Sequence, residues 1–430
     1  MNPTAVVIIG GIATAIAGAL LYAWFRFRRL LREAKNYERG LKMVPMLIHL
    51  PPLSDDIEAG GRDSRDVVEE TISKAETLYD IIASTAKKGF KSKFYGQRHF
   101  TFEIVASKGL VHFYTAVPVA IASVIQQAIL GAYPTARLEE VSEHNIFNPI
   151  GKINGTVGGE LQLKDDFINP IATFQDSKRD AMQALLNALS SLDEDDGAGV
   201  QILLRPAQQG WDKKALSEAK SKSKGKSDKG GGGAWLKQLG QAFWKPPEEG
   251  ESKSEPSKLT NLEQANVDAI ESKTRHAAYE TLIRVVASSN TAQKSQGILH
   301  NIVASFALFD APGKNGFKFE EAKSIENFVT AYIMRFFPPE INKNILNSVE
   351  LATIFHFPDQ KHTPTSQLQR QSSKQVDAPR KMPKEGILLG YNSFRETKKE
   401  VRITDDDRRR HLYIIGQTGV GKSVMLENLA

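Results

Sequence analysis

Residues 5–25 (AVVIIGGIATAIAGALLYAWF) run for twenty-one positions without a charge. As a helix rising ~1.5 Å per residue, such a run is about 31 Å long and matches a hydrocarbon core of ~30 Å. Tyr22 and Trp24 fall at its C-terminal edge, where amphipathic rings favour a membrane interface. Arg26, Arg28, Arg29, Arg32 and Lys35 follow, opposed by Glu33. The pattern predicts one transmembrane helix in the inner (plasma) membrane, N-terminus outside and the bulk of the chain cytoplasmic. A cleaved signal peptide would carry its positive charge before the apolar run; here the charge comes after it.

The chain has 430 residues, enough for two to four domains at ~100–200 residues each. Lys and Arg total 56 against 50 Asp and Glu, a formal net charge of +6. This mild excess is compatible with a polyanionic or membrane-surface partner without demonstrating one. With 41% hydrophobic and 25% charged residues, the chain is neither wholly disordered nor a multi-span membrane protein. It contains no cysteine, which excludes disulfides, cysteine zinc sites, iron–sulfur clusters and thiol catalysis.

Beyond the anchor and basic segment (1–35), a connecting segment (36–94) carries a helical pattern over 64–87. Residues 95–206 then pair strands with helices. Phe100, Phe102 and Ile104 alternate as in a half-buried strand, Lys108-Gly109 turns the chain, and 110–115 returns. Pro118 suits the start of a helix that Gly131 would stop, and 137–141 and 156–163 read as strands. Ser177 to Asp180 resembles a capping box opening a helix through Leu192, and 200–204 is a short strand.

An insert, 207–258, breaks the pattern. Its stretch 213–233 is rich in Lys, Ser and Gly and cannot bury enough apolar surface to order itself. Within it, 234–245 (AWLKQLGQAFWK) places Trp235, Leu239, Ala242 and Phe243 on one helical face. Membrane-surface binding, docking on the protein's own body and disorder all remain open for it. Residues 259–358 resume the order: a helix opened by Thr260 to Glu263, a strand over 279–288, a helix over 292–306, a short strand over 317–319, a helix over 321–336 and a strand over 348–357. FEIVAS (102–107) is echoed by IRVVAS (283–288), pointing to two related units. After a linker (359–384), 385–430 starts a new β-rich segment. The expected fold class is α+β: a transmembrane helix, two ferredoxin-like β/α halves at 95–206 and 259–358, then the truncated start of a P-loop α/β domain.

Gly416, Gln417, Thr418, Gly419, Val420, Gly421, Lys422 and Ser423 fit G-x-x-x-x-G-K-[ST]. Glycines at these places let successive N–H groups face one concavity that holds phosphate oxygens. Lys422 brings a charge to the β- and γ-phosphates, Ser423 a hydroxyl for Mg²⁺, and the helix that follows its positive N-terminal end. The apolar run 411–415 reads as the entering strand and 424–429 as the leaving helix. ATP with Mg²⁺ is the expected cofactor. Seven residues follow Ser423, where a complete domain of this type needs ~150–250. The expectation is a fragment cut inside its motor domain and inactive alone, with no catalytic residue. Asp405 to Asp407 before three arginines read as a solvated turn, and His99, His112 and His356, in strand-like runs, as structural.

RRRHLYIIGQTGVGKS (408–423), taken with the N-terminal apolar helix, resembles the HerA/FtsK-type pumping ATPases, especially the type IV secretion coupling proteins of conjugative DNA transfer. AYPTARLEEV (132–141) and ELATIFHFP (350–358) resemble segments that precede the motor domain in a membrane-anchored bacterial branch of that group. The resemblance implies a hexameric ring that hydrolyses ATP to move DNA, or protein, through a membrane-associated pore. DNA, the lipid bilayer, further copies and other secretion components would be its partners. It also implies the phosphate and Mg²⁺ roles for Lys422 and Ser423. The residues also fit a P-loop GTPase or kinase, or a membrane assembly factor that holds nucleotide structurally.

Overall fold

In the computed structural model the described residues are 3–50, 64–87, 95–142, 155–178, 180–207, 210–223, 261–338, 344–358, 376–379, 381–394, 397–410, 412–417 and 419–429, with 89, 92, 146, 147 and 368. The 234–245 segment, most of the insert and most of the 359–384 linker lie outside them. The chain divides into two units, Met1–Gln371 and Ser372–Ala430.

The first unit runs, in chain order, α1 (Pro3–Leu41), β1 (Met43–His49), α2 (Ser64–Ala83), β2 (Phe100–Ser107), β3 (Leu110–Pro118), α3 (Ala122–Ala132), β4 (Arg137–Glu140), β5 (Thr156–Leu163), α4 (Ala181–Ser190), β6 (Gly197–Pro206), α5 (Trp211–Ser223), α6 (Asn261–Thr274), β7 (Ala278–Ser288), α7 (Ala292–Ser305), β8 (Phe317–Glu321), α8 (Ile325–Ile333), β9 (Ile345–Asn347) and α9 (Ser348–Ile354). The strands form one antiparallel sheet in the order β4-β1-β3-β2-β6-β7-β5-β8. β9 pairs with the start of β7, on the edge whose remainder is held by β5.

An α+β fold with a large antiparallel sheet is what the chain adopts, and two elements of the expectation are corrected. The expected separate halves share one sheet, since β6 pairs with β7 along its whole length. β5, assigned by sequence to the first half, lies between β7 and β8. The echo has a structural counterpart: Ser107 and Ser288 both face Gly197, and Ile104 and Val285 both face Val200, so the two segments flank β6 at the same level.

The expected transmembrane helix is also overturned. Among the described residues no helix is long and apolar enough to cross a membrane. α1 is one continuous helix in which the side chains described before Arg26 begin at Gly11. Past residue 25 the same helix runs on through a basic turn to Leu41. The single-pass inner-membrane localisation rested on that anchor and goes with it. The far end of α1 docks on protein instead. Asn36 is buried and donates to the Phe337 carbonyl at 3.0 Å, and Tyr37 stacks on Phe336.

One face of the sheet carries the main core, with Leu78 of α2, Ile125 of α3, Leu185 of α4, Leu299 of α7 and Leu351 of α9 packed over Phe102, Ile104, Val200 and Val285. On the other face α8 lays Phe328, Val329 and Tyr332 on Val105, Tyr114 and Val286. Two strand glycines permit that approach. A Cβ on Gly158 would meet Phe328 Cε1 at 2.5 Å, and one on Gly199 would meet Tyr332 Oη at 2.3 Å.

This second face is polar at its centre. Glu103, Gln201, Arg284 and Glu160 stand side by side in register across β2, β6, β7 and β5. Glu103 is fully buried and accepts from Thr101 Oγ1 at 2.9 Å, Gln201 Nε2 at 3.0 Å and Arg335 Nε at 2.8 Å. Arg335, just past α8, holds a left-handed backbone (φ +48°), a strain of about 1–2 kcal/mol that this pairing offsets. Arg284 donates to Glu160 at 3.2 Å and to the carbonyls of Ala331 and Phe336 at 3.1 and 2.8 Å, tying the sheet to the end of α8. Four residues along the same strands, Arg205 and Glu280 pair at 2.5 Å.

The sequence placed a strand over 348–357, where the structure has α9. Its helix is set by a capping box: the Asn347 side chain accepts from Glu350 N, and Glu350 accepts from Asn347 N. The buried Lys273 ammonium, at 3.0 Å, fixes that Glu350 carboxylate. β1 was not anticipated, because Pro45 disguises a strand that nevertheless pairs on both sides. Pro118 ends β3 and also caps the 3-10 turn Val119–Ile121 that leads into α3, which stops one residue past Gly131.

Candidate nucleotide-binding loop

The second unit contains a hairpin, β10 (Ile387–Phe394) with β11 (Thr397–Ile403), a short helical turn at Asp405–Arg408 capped by Thr404, and the helix α10 (Lys422–Leu429). Asp407 is held at that turn by Thr404 Oγ1 and its N–H, as expected of a solvated turn. The G-x-x-x-x-G-K-S segment leads into α10. Gly419 and Gly421 adopt φ +88° and +86°, a backbone that residues with a Cβ rarely take. A Cβ at Gly416 would meet the exposed Val420 side chain, Cγ2 at 2.8 Å.

Lys422 opens α10 and folds back over the bend, its Nζ 2.6 Å from the Gly416 carbonyl and 2.8 Å from that of Gln417. Both acceptors are neutral, so the ammonium keeps its charge for an incoming anion. Ser423 follows, exposed at the helix N-terminus, as are Gln417 and Val420. Thr418 lies outside the described residues. Two positive-φ glycines, an ammonium over the bend and a helix N-terminus thus meet at one exposed loop. Among the described residues no cluster of three or more His, Asp or Glu side chains forms a metal site of its own.

The strand expected over 411–415 is not formed, and His411 is outside the described residues. Among the described residues, Leu412 to Ile415 form no strand and pair with none. A phosphate-loop strand is normally central in a parallel sheet, and its ladder hydrogen bonds come from neighbours.

The three strand-region histidines pack inside the fold. His99 is buried, its Nε2 2.9 Å from the Arg335 carbonyl, and burial pushes its pKa down to about 3. His356 is buried with Nδ1 2.9 Å from the Ala352 carbonyl, and His112 lies against Tyr114. Sequence reasoning missed the polar row beneath α8. Its signal was a spacing of four in otherwise apolar strands, Gln201 with Arg205 and Glu280 with Arg284, which keeps each pair on one face.

A family model described as "Domain of unknown function (DUF8128)" matches residues 64–370. That is the greater part of the chain, and the chain belongs to this family. The matched region takes in most of the sheet with its helices and ends before the phosphate loop. No curated protein matches the chain.

Proposed function

We propose that this protein binds a nucleoside triphosphate with Mg²⁺ through Gly416–Ser423 and uses it in ATP-driven DNA translocation, as a ring-forming motor of the HerA/FtsK type. The observation that carries the reading is the position of Lys422, an ammonium set over a glycine bend at the first turn of a helix. Backbone N–H groups around Gly419 and Gly421 would bind the phosphate oxygens, and Lys422 would neutralise the β- and γ-phosphates. Ser423 would orient the metal ion, whose contribution when bound is to bridge those phosphates and screen their charge. The motor half of the reading comes from the likeness of 408–423, 132–141 and 350–358 to the pumping ATPases.

The test is ATP hydrolysis by the full-length protein with and without DNA. DNA should raise the rate, and Lys422→Ala should abolish it. Equal rates with and without DNA would remove the motor reading, and a guanine preference would move the loop to the GTPase class.

A further inference from the structure

A second concave site lies in the first unit, at the C-terminal end of α1. It is a cleft of about 770 Å³ between α1, the segment around residues 95–98 and the turn after β3. Lys35, Arg39 and Lys42 line it from one side, Lys87 and Arg98 from the other, and the carboxylate on its wall is Glu38. Five cations thus converge on a space shared with one acid. Lys35 and Lys42 both pair with Glu38, and their hydrogen bonds and charges draw its pKa down to about 2.

The floor is built rather than incidental. Arg39 is half-buried and donates to the carbonyls of Tyr95, Gly96 and Gln97 at 3.1, 3.1 and 2.8 Å. Those are neutral acceptors, so they hold the guanidinium in place without cancelling its charge. Gly96 permits the turn by adopting φ +73°. The Gln97 amide then bridges the main chain of Lys87, accepting from its N–H at 3.0 Å and donating to its carbonyl at 2.7 Å. This tie fixes the main chain of Lys87 against the segment that carries Arg98. Burial and the nearby charges of Arg98 and Arg205 hold Arg39 down to about 10, as expected where positive charge is crowded and an anion would relieve it. Pro118, Val119 and Ala120 supply an apolar wall.

We propose that this cleft binds a phosphate-bearing ligand of nucleotide size, its anionic groups on Arg39, Lys87 and Arg98 and its uncharged part against the Pro118–Ala120 turn. The volume falls within the ~300–1,000 Å³ of small-ligand sites and suits one nucleotide, free or at the end of a single strand, but not a duplex. The site is separate from the phosphate loop and stands whether or not that loop binds ATP.

The test uses the full chain carrying Lys422→Ala, so that the phosphate loop does not contribute. Binding of tripolyphosphate, ATP without Mg²⁺ and a short single-stranded oligonucleotide is measured by calorimetry. The comparison is with the same chain carrying Lys87→Glu and Arg98→Glu, and with a milder Lys87→Gln, Arg98→Gln version whose thermal melt reports folding. Binding of any probe that weakens about tenfold or more per cation lost supports the site. ATP or tripolyphosphate binding identifies free nucleotide as the source, and oligonucleotide binding alone identifies a strand. Failure of all three probes to bind, or binding unchanged in a folded Gln variant, overturns the proposal.

Discussion

Removing the charge of Arg335 tests how the sheet and α8 are held together. In the native structure Arg335 Nε lies 2.8 Å from a Glu103 carboxylate that is 0% exposed and also accepts from Thr101 and Gln201. Arg335→Leu leaves that carboxylate buried without the guanidinium facing it, and Glu103→Leu leaves a buried guanidinium and the Thr101 hydroxyl without that carboxylate as acceptor. Breaking a buried pair from one side costs about 3–5 kcal/mol, a large part of the ~5–15 kcal/mol that holds a domain folded. The double variant removes both charges and loses chiefly the two charge-assisted hydrogen bonds from Thr101 and Gln201, about 3–6 kcal/mol at ~1.5–3 kcal/mol each. The two single costs together should therefore exceed the double by several kcal/mol. Thermal and urea unfolding followed by far-UV circular dichroism reads this out, with each single variant melting roughly 6–15 °C lower. A single substitution costing under about 1 kcal/mol, or a double equal to the sum of the singles, would refute the coupling.

Two further outcomes follow from the same face. His99 is held neutral, its pKa pushed down to about 3 by burial against an unfolded value near 6.5. Between those values the unfolded chain binds the extra proton. The group's contribution is therefore complete above about pH 6.5 and is lost as pH falls toward 3, at up to about 1.4 kcal/mol per unit. His99→Gln should flatten the fall in urea midpoint between pH 6.5 and 4, and an unchanged slope would contradict the assignment. Gly199→Ala should push Tyr332 off β6 and destabilise by roughly 1–3 kcal/mol. The same change at Gly131, where nothing lies within 4 Å, should be neutral or stabilising; equal melting shifts at the two glycines would be inconsistent with close packing of α8.

What the sequence revealed was what local chemistry decides. The alternation of Phe100, Phe102 and Ile104 and the Lys108-Gly109 turn, observed at φ +53° and +71°, specify the β2–β3 hairpin within a few residues. The glycine bend was legible, since Gly419 and Gly421, expected from their spacing to bend the backbone, take positive φ. The strand before the loop was not, because a strand needs neighbours to pair with. α9 was misread because its local capping box, Asn347 with Glu350, sits in an apolar run that reads as a strand, and the Lys273 ammonium that holds Glu350 lies 77 positions away. β5 was misplaced because antiparallel pairing to β7 spans an insert whose length gives no register. The basic cleft was invisible for the same reason, since residues 35–42, 87 and 98 meet only in the folded chain. The apolar run 5–25 was read as a membrane span, whereas among the described residues no helix is long and apolar enough to be one.

The most direct measurement is calorimetric titration of the full-length protein with ATP and Mg²⁺, wild type against Lys422→Ala. The bend between Gly416 and Ser423 should bind Mg²⁺·ATP with one saturable site that the substitution eliminates. Absence of binding at millimolar nucleotide, or equal affinity in the two proteins, would contradict it.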